Sequence, residues 1–235
     1  MRYWLVMPAA GVGRRFGGAK QFEALHQRTV LELALRPFLD DGQCQGGAIA
    51  LSADEPRRAE LAARVPERFS LIDGGETRAH SVLNGLMAVS RHADPDDWVL
   101  VHDAARPCLS AQDLARLLAG AAGSQGALLA VRVADTVKRA LPAVGDEPPR
   151  VAATQSRESL WLAQTPQMFA LGALAGALSQ ALSDGRSPTD EAQAMEWQGV
   201  AARLIEARDT NIKITSAADL ALARAILTAR EELAR

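Results

Sequence analysis

The chain has 235 residues, of which 48% are hydrophobic and 23% charged, enough apolar surface for one large domain or two small ones and too much for a disordered segment. A formal net charge of −2, without a basic tail or long charge run, argues against nucleic acid as the main partner. Cys44 and Cys108 lie far apart, form no metal-binding spacing and fit a reducing cytoplasm. Arg14 and Arg15 stand where a secretory cleavage region would follow the short apolar start, and no apolar run reaches the length of a membrane span.

The chain opens on a buried strand, YWLVMP (3–8), and runs into the glycine-rich MPAAGVGRRFGGAK (7–20). TVLELALRPFLDD (29–41) predicts a helix interrupted at Pro37, GGAIALS (46–52) a strand, and EPRRAELAARV (55–65) a helix with proline near its start. FSLID (69–73) is a short strand, and TRAHSVLNGLMAVS (77–90) a helix with Val82, Leu86 and Val89 on one face. DWVLVHD (97–103) is the strongest strand signal. SAQDLARLLAGAA (110–122) opens on an N-cap serine with Asp113 close to a capping-box position, and GALLAVRV (126–133) is another strand. Between residues 134 and 160 the alternation breaks. Two short extended segments flank the turn PAVGDEPP and predict a protruding β-arm. Helical GALAGALSQALSD, TDEAQAMEWQG, a strand in ARLIEA (202–207) and a last helix from Ser216 complete a single α/β domain over 1–235. The alternation implies a doubly wound, mostly parallel sheet whose ligands bind outside the carboxyl ends of the strands.

The first loop is a phosphate-binding candidate. Gly11 and Gly13 fit a dinucleotide fingerprint, but Phe16 holds the third glycine position, and Ala19 and Gln21 around Lys20 fail a Walker A loop. What remains is glycine-rich backbone with Arg14, Arg15 and Lys20, suited to a triphosphate. Lysines number only three among 26 basic residues, Lys20, Lys138 and Lys213. In so arginine-rich a chain each is a candidate for a compact ammonium, a choice that count alone does not separate from chance. Asp103, at the end of the strongest strand, would face the triphosphate unfavourably unless a divalent cation lay between them.

Seven segments, PAAGVGRRF…AKQF, DGGETRAHSVLNGL, VHDAARPCL, ADTVKRA, LWLAQTPQMF, TDEAQAMEWQG and TNIKITSAADLALA, together resemble the 2-C-methyl-D-erythritol 4-phosphate cytidylyltransferase family of the non-mevalonate isoprenoid pathway. The match runs in order over almost the whole chain. It departs at Ala19, where the family usually has proline, and in the short loop from Arg15 to Lys20. The resemblance implies a Rossmann-like nucleotidyltransferase fold and a cytoplasmic homodimer joined through the arm. The implied reaction converts CTP and methylerythritol phosphate to the diphosphocytidyl alcohol and pyrophosphate, with Mg²⁺ or another divalent cation. Carried over by position, Ala9, Ala10 and Gly11 line the nucleotide pocket, Arg15 and Lys20 stabilise charge on the triphosphate, and Gly75, Glu76 and Ser81 border the cytosine. Asp103, Ala104 and Arg106 lie by the ribose, phosphates and metal, with Asp209 a second metal candidate. Thr136, Arg157, Thr189 and Lys213 hold the sugar phosphate. His26, His80, His92 and His102 are scattered and read as structural or surface groups, as expected where an ionised phosphate needs no general base. A transferase for another polyol phosphate, an NAD-dependent oxidoreductase and a nucleotide sensor are the competing readings.

Overall fold

The computed structural model describes residues 1–233 apart from Val12, Arg14, Arg15, Val144, Asp146 and Asp209, and only the backbone of Glu231 and Leu233. Strand β1 (Tyr3–Pro8) leads through the glycine-rich loop and a 3-10 turn (Lys20–Phe22) to a small hairpin of β2 (Ala24–Leu25) and β3 (Arg28–Thr29). Then come α1 (Val30–Leu39), β4 (Cys44–Leu51), α2 (Arg58–Arg64), β5 (Phe69–Asp73), α3 (Arg78–Val89), β6 (Trp98–Val101), α4 (Ala111–Ala121) and β7 (Gly126–Arg132). Arm strands β8 (Val137–Ala140) and β9 (Val151–Gln155) precede β10 (Trp161–Ala170), α5 (Leu171–Ser183), α6 (Glu191–Glu196), β11 (Arg203–Glu206) and α7 (Ala217–Leu233).

Seven strands form one sheet in the order β11-β7-β10-β6-β1-β4-β5. Its pairings are parallel except those of β10, which runs antiparallel to both β6 and β7. The expected doubly wound, mostly parallel α/β sheet is therefore present, with β10 as an inserted antiparallel strand that the strand pattern alone did not predict. Side-chain alternation along β1 builds two cores. Tyr3, Leu5 and Met7 pack with Leu31, Leu35 and Phe38 of α1 and Leu117 of α4. Val6 points to the opposite face, against Val82 and Leu86 of α3 and Leu174 and Leu178 of α5.

Local signals explain the helix starts. Thr29 and Glu32 form a full capping box on α1. Ser110 Oγ accepts from Asp113 N (3.0 Å) and donates to Asp113 Oδ2 (2.6 Å) at the start of α4. Pro37 does not interrupt α1, which continues to Leu39; its missing N–H falls in the final turn, where little helix remains to disrupt. The arm is a two-stranded antiparallel ribbon. Lys138 pairs with Thr154 across it, and its Nζ donates to Thr154 Oγ1 at 2.8 Å, so this lysine braces the arm.

Candidate active site

The carboxyl ends of β1 and β6, the start of α3 and the segment before α7 enclose a cleft of about 780 Å³. Its lining includes Ala9, Ala10, Gly11, Lys20, Gly75 and Glu76, joined by Ser81, Asp103, Ala104 and Lys213. These are nine of the expected nucleotide and catalytic positions plus one expected at the acceptor, brought together from five separate stretches of chain. A larger groove, about 1150 Å³, opens between α1, α4 and α7 and reaches Gln43 just before β4. Its mixture of leucines with scattered charges of both signs lacks the convergent cations of the smaller cleft, and it extends toward the amino ends of the strands. Chemistry and topology thus favour the smaller one.

The loop after β1 is shaped by backbone requirements. Gly13 has φ +62°, and a Cβ there would lie 1.8 Å from the Gly18 carbonyl oxygen, so only glycine fits. Phe16 N and Gly17 N both donate to Gly13 O (2.8 and 3.0 Å). Gln21, 5% exposed, donates its Nε2 to the carbonyls of Ala9 (2.7 Å) and Gly11 (3.1 Å), which ties both ends of the loop together. Ala19 has φ −73°, inside the range proline would impose, so the backbone here is one that a proline at this position could also adopt. On the opposite wall, Ser81 Oγ accepts from Gly75 N and donates to Thr77 O, each at 3.0 Å. A Cβ on Gly75 would meet His80 Cβ at 2.4 Å. Both walls of the cleft are lined here by small residues and backbone.

Electrostatics converge on Asp103, which is 6% exposed. Arg78 Nε donates to its Oδ1 at 3.0 Å, Lys213 Nζ lies 2.7 Å from Oδ2, and Arg106 Nε approaches Oδ2 at 3.9 Å. Burial opposes the Asp103 charge, but Arg78, Lys213 and Arg106 outweigh it and hold the carboxyl well below the usual carboxylate range. Arg78 also forms a two-pronged bond to Glu191, at 2.7 and 3.0 Å. Burial works against its charge too, and Glu191 and Asp103 together keep it firmly protonated. Arg106 is anchored from the other side, its Nη1 donating to Asn211 O at 2.7 Å. Cations outnumber carboxylates here, so the cleft floor suits an anionic ligand.

Beneath the site lies His102, fully buried. Thr165 Oγ1 donates to its Nδ1 (3.1 Å), its Nε2 donates to Arg106 O (3.2 Å), and Asp103 N donates to Thr165 Oγ1 (3.0 Å). Each contact suits the neutral ring. Burial pushes the imidazole down to about 4. Its folded pKa therefore lies below its unfolded value near 6.5. Between those values the unfolded chain takes up a proton that the native chain refuses, so stability is full above about pH 6.5 and falls with pH down to about 4, by about 3 kcal/mol. Denaturant melts at pH 7.5 and 4.5 test this: His102→Gln is expected to lose clearly less stability over that window than the native chain. An equal loss would locate the acid sensitivity elsewhere.

The remaining expected positions are not among the described residues that line the cleft. Arg15 and Asp209 lie outside the described residues. Thr136 and Arg157 are both exposed at the base of the arm, and Thr189 is exposed just before α6, where its N donates to Gln193 Oε1 at 2.8 Å. Among the described residues no group of three or more His, Cys, Asp or Glu gathers to hold a metal. Asp103, with Glu76 also on the cleft lining, does match the way Mg²⁺ is commonly held, by one or two carboxylates plus the substrate's phosphates.

Arg78, Glu191 and Gln21 are the site residues that sequence reading passed over. Arg78 is the first residue of α3, after N-cap Thr77. A cation there opposes the helix dipole, and that anomaly was a readable signal that a carboxylate must wait nearby.

Comparison with known proteins gives a consistent result. The family profile described as IspD, 2-C-methyl-D-erythritol 4-phosphate cytidylyltransferase, matches residues 3–229. The chain is 47% identical over 239 residues to the 2-C-methyl-D-erythritol 4-phosphate cytidylyltransferase of Halorhodospira halophila, covering 97% of this chain and 95% of that protein. A crystal structure of 4-diphosphocytidyl-2C-methyl-D-erythritol synthase superposes with a TM-score of 0.83 at 35% identity, covering 96% of this chain and 98% of the other. The Francisella tularensis 2-C-methyl-D-erythritol 4-phosphate cytidylyltransferase superposes at 0.79 and 33% identity, covering 96% and 100%.

Proposed function

Since the chain belongs to the 2-C-methyl-D-erythritol 4-phosphate cytidylyltransferase family, we infer that it transfers CMP from CTP to 2-C-methyl-D-erythritol 4-phosphate. The products are the 4-diphosphocytidyl alcohol and pyrophosphate, a step of isoprenoid biosynthesis. The observation that carries this reading is the cationic ring of Arg78, Arg106 and Lys213 around Asp103, facing a backbone-lined slot that also holds Lys20.

An oxygen of the acceptor phosphate attacks the α-phosphorus of CTP, and the bond from that phosphorus to the bridging oxygen breaks as pyrophosphate leaves. The attacking oxygen is already ionised at neutral pH, so no base is required, and the barrier is the approach of one anion to another. Lys20 and Arg15 stabilise charge on the transferring group and the leaving pyrophosphate. Lys213, Arg157, Thr136 and Thr189 orient the acceptor. Asp103, with Asp209 the other candidate, would hold Mg²⁺ together with the nucleotide's phosphates. When bound, the ion supplies further positive charge at the phosphates.

We further propose a homodimer built through the arm. Leu141 (48%), Val151 (63%), Leu160 (38%) and Leu162 (58%) expose apolar side chains along the arm and its base, as a surface awaiting a partner copy would. Among the described residues no helix is long and apolar enough to cross a membrane. The free, buried Cys44 and Cys108 support a reducing compartment such as the cytoplasm. The whole chain serves as a single nucleotidyltransferase domain.

Pyrophosphate release measured with each of four nucleoside triphosphates and a panel of sugar-alcohol phosphates tests the reading. Turnover is expected to depend on Mg²⁺, to prefer CTP strongly over ATP and GTP, and to be greatest with methylerythritol phosphate. The slot walled by Ala10 and Gly75 is expected to suit the single ring of cytosine better than a purine. Equal turnover with ATP would reject the assignment, and greater turnover with ribitol 5-phosphate would move it to another polyol.

A further inference from the structure

We propose that Arg78 is a positioning residue for this reaction, aimed by Glu191 and acting through Asp103. The proposal rests on the cytidylyltransferase reading. Glu191 is 1% exposed, and its two oxygens take the Nη1 and Nη2 hydrogens of Arg78. A parallel two-point bond of this kind fixes the plane of a guanidinium, not only its charge. With the plane fixed, Nε points at Asp103 Oδ1, 3.0 Å away.

The consequence lies on the far side of that carboxylate. The Asp103 backbone is held through its N–H to Thr165 Oγ1, and Oδ1 is held by Arg78. Oδ2 is thereby turned toward Lys213 and Arg106. Arg106 Nε is buried without a hydrogen-bond partner of its own among the described residues, so Oδ2 is the only carboxylate oxygen shown near it. A small rotation of Asp103 would change where the ammonium of Lys213 rests, and Lys213 is expected to meet the acceptor phosphate. Arg78, itself on the cleft lining, therefore links the α3 and α6 starts to the acceptor side of the cleft through Asp103. Its guanidinium faces two carboxylates, which already balance it.

A purely mechanical brace between α3 and α6 would show the same ion pair, so the test must separate the two roles. Pyrophosphate release and calorimetric CTP affinity are measured for the native chain, Arg78→Lys, Glu191→Gln, Asp103→Asn and the double variant Arg78→Lys/Asp103→Asn. Arg78→Lys keeps the charge but loses the fork. Both it and Glu191→Gln are expected to lower kcat with the acceptor by about 10–100-fold, the usual cost of losing an outer support of a site, while CTP affinity stays near native. The double variant is expected to be no slower than Asp103→Asn alone, because both changes act on one element. Multiplying losses would make Arg78 a group that touches substrate, and a lowered melting temperature with unchanged kcat would make it a brace; either overturns the proposal. If Arg78→Lys does not fold, Glu191→Gln combined with Asp103→Asn carries the same comparison. Failure of the cytidylyltransferase reading would appear in the native chain, whereas failure of this proposal appears only in the variants.

Discussion

Lys20→Ala is expected to lower kcat by about 10²–10³-fold, or about 3–4 kcal/mol of transition-state stabilisation, while CTP binds nearly as well as before. The reason is the division of labour within the cleft. On the proposed reading, nucleotide affinity would be spread over the cleft walls at Ala9–Gly11 and Gly75, the latter held by Ser81. Lys20 instead heads the 3-10 turn, and its neighbours keep that turn in place. Gln21 bonds the loop carbonyls on one side, and Phe22 lies under the Arg57 guanidinium at 4.0 Å on the other. A cation on so well supported a turn is preorganised for charge that develops during transfer. Steady-state rates beside equilibrium CTP titration check this. Weaker CTP affinity with unchanged kcat would make Lys20 a ground-state anchor.

Much of the scaffold behind that prediction was legible in the sequence, because local and global preferences agree there. The bounds of β1 and β5 follow directly from their apolar runs, and the Ser110–Asp113 cap starts α4 where its spacing says it should. β10 was not legible as a strand. It carries Gln164, Thr165, Pro166 and Gln167 in the middle of the sheet, a pattern that argues against a central strand. The structure accommodates it by a register break between Ala163 and Gln167 on the β7 side. It also satisfies each buried amide: Gln167 bonds Asp190 Oδ2 (2.9 Å) and Ala192 N (2.8 Å), and Gln164 accepts from Asn211 (3.0 Å). These partners lie 23 to 47 residues away in sequence, beyond any local rule. The site divides in the same way. Glycines and lysines announced themselves by type and spacing, whereas Arg78 and Glu191 acquire meaning only when α3 and α6 are brought side by side.

Mixing two inactive variants is expected to restore activity, and it tests the placement of the arm. Thr136 and Arg157 flank the β8–β9 ribbon and so lie together at its base, exposed and not among the described lining of their own chain's cleft. The ribbon contributes nothing to the three buried clusters of the core. If the arm crosses a two-fold axis, each active site joins Lys20 of one protomer to Arg157 of its partner. Lys20→Ala and Arg157→Ala chains are then each inactive alone. When they are unfolded together and allowed to re-pair, about half of the dimers are mixed. In a mixed dimer one site carries both lesions, while the other pairs a native Lys20 with a native Arg157. Activity should return to roughly a quarter of the native level, since half the dimers each regain one site of two. Should Arg157 serve its own protomer, every site in every dimer keeps one lesion, and mixing recovers nothing.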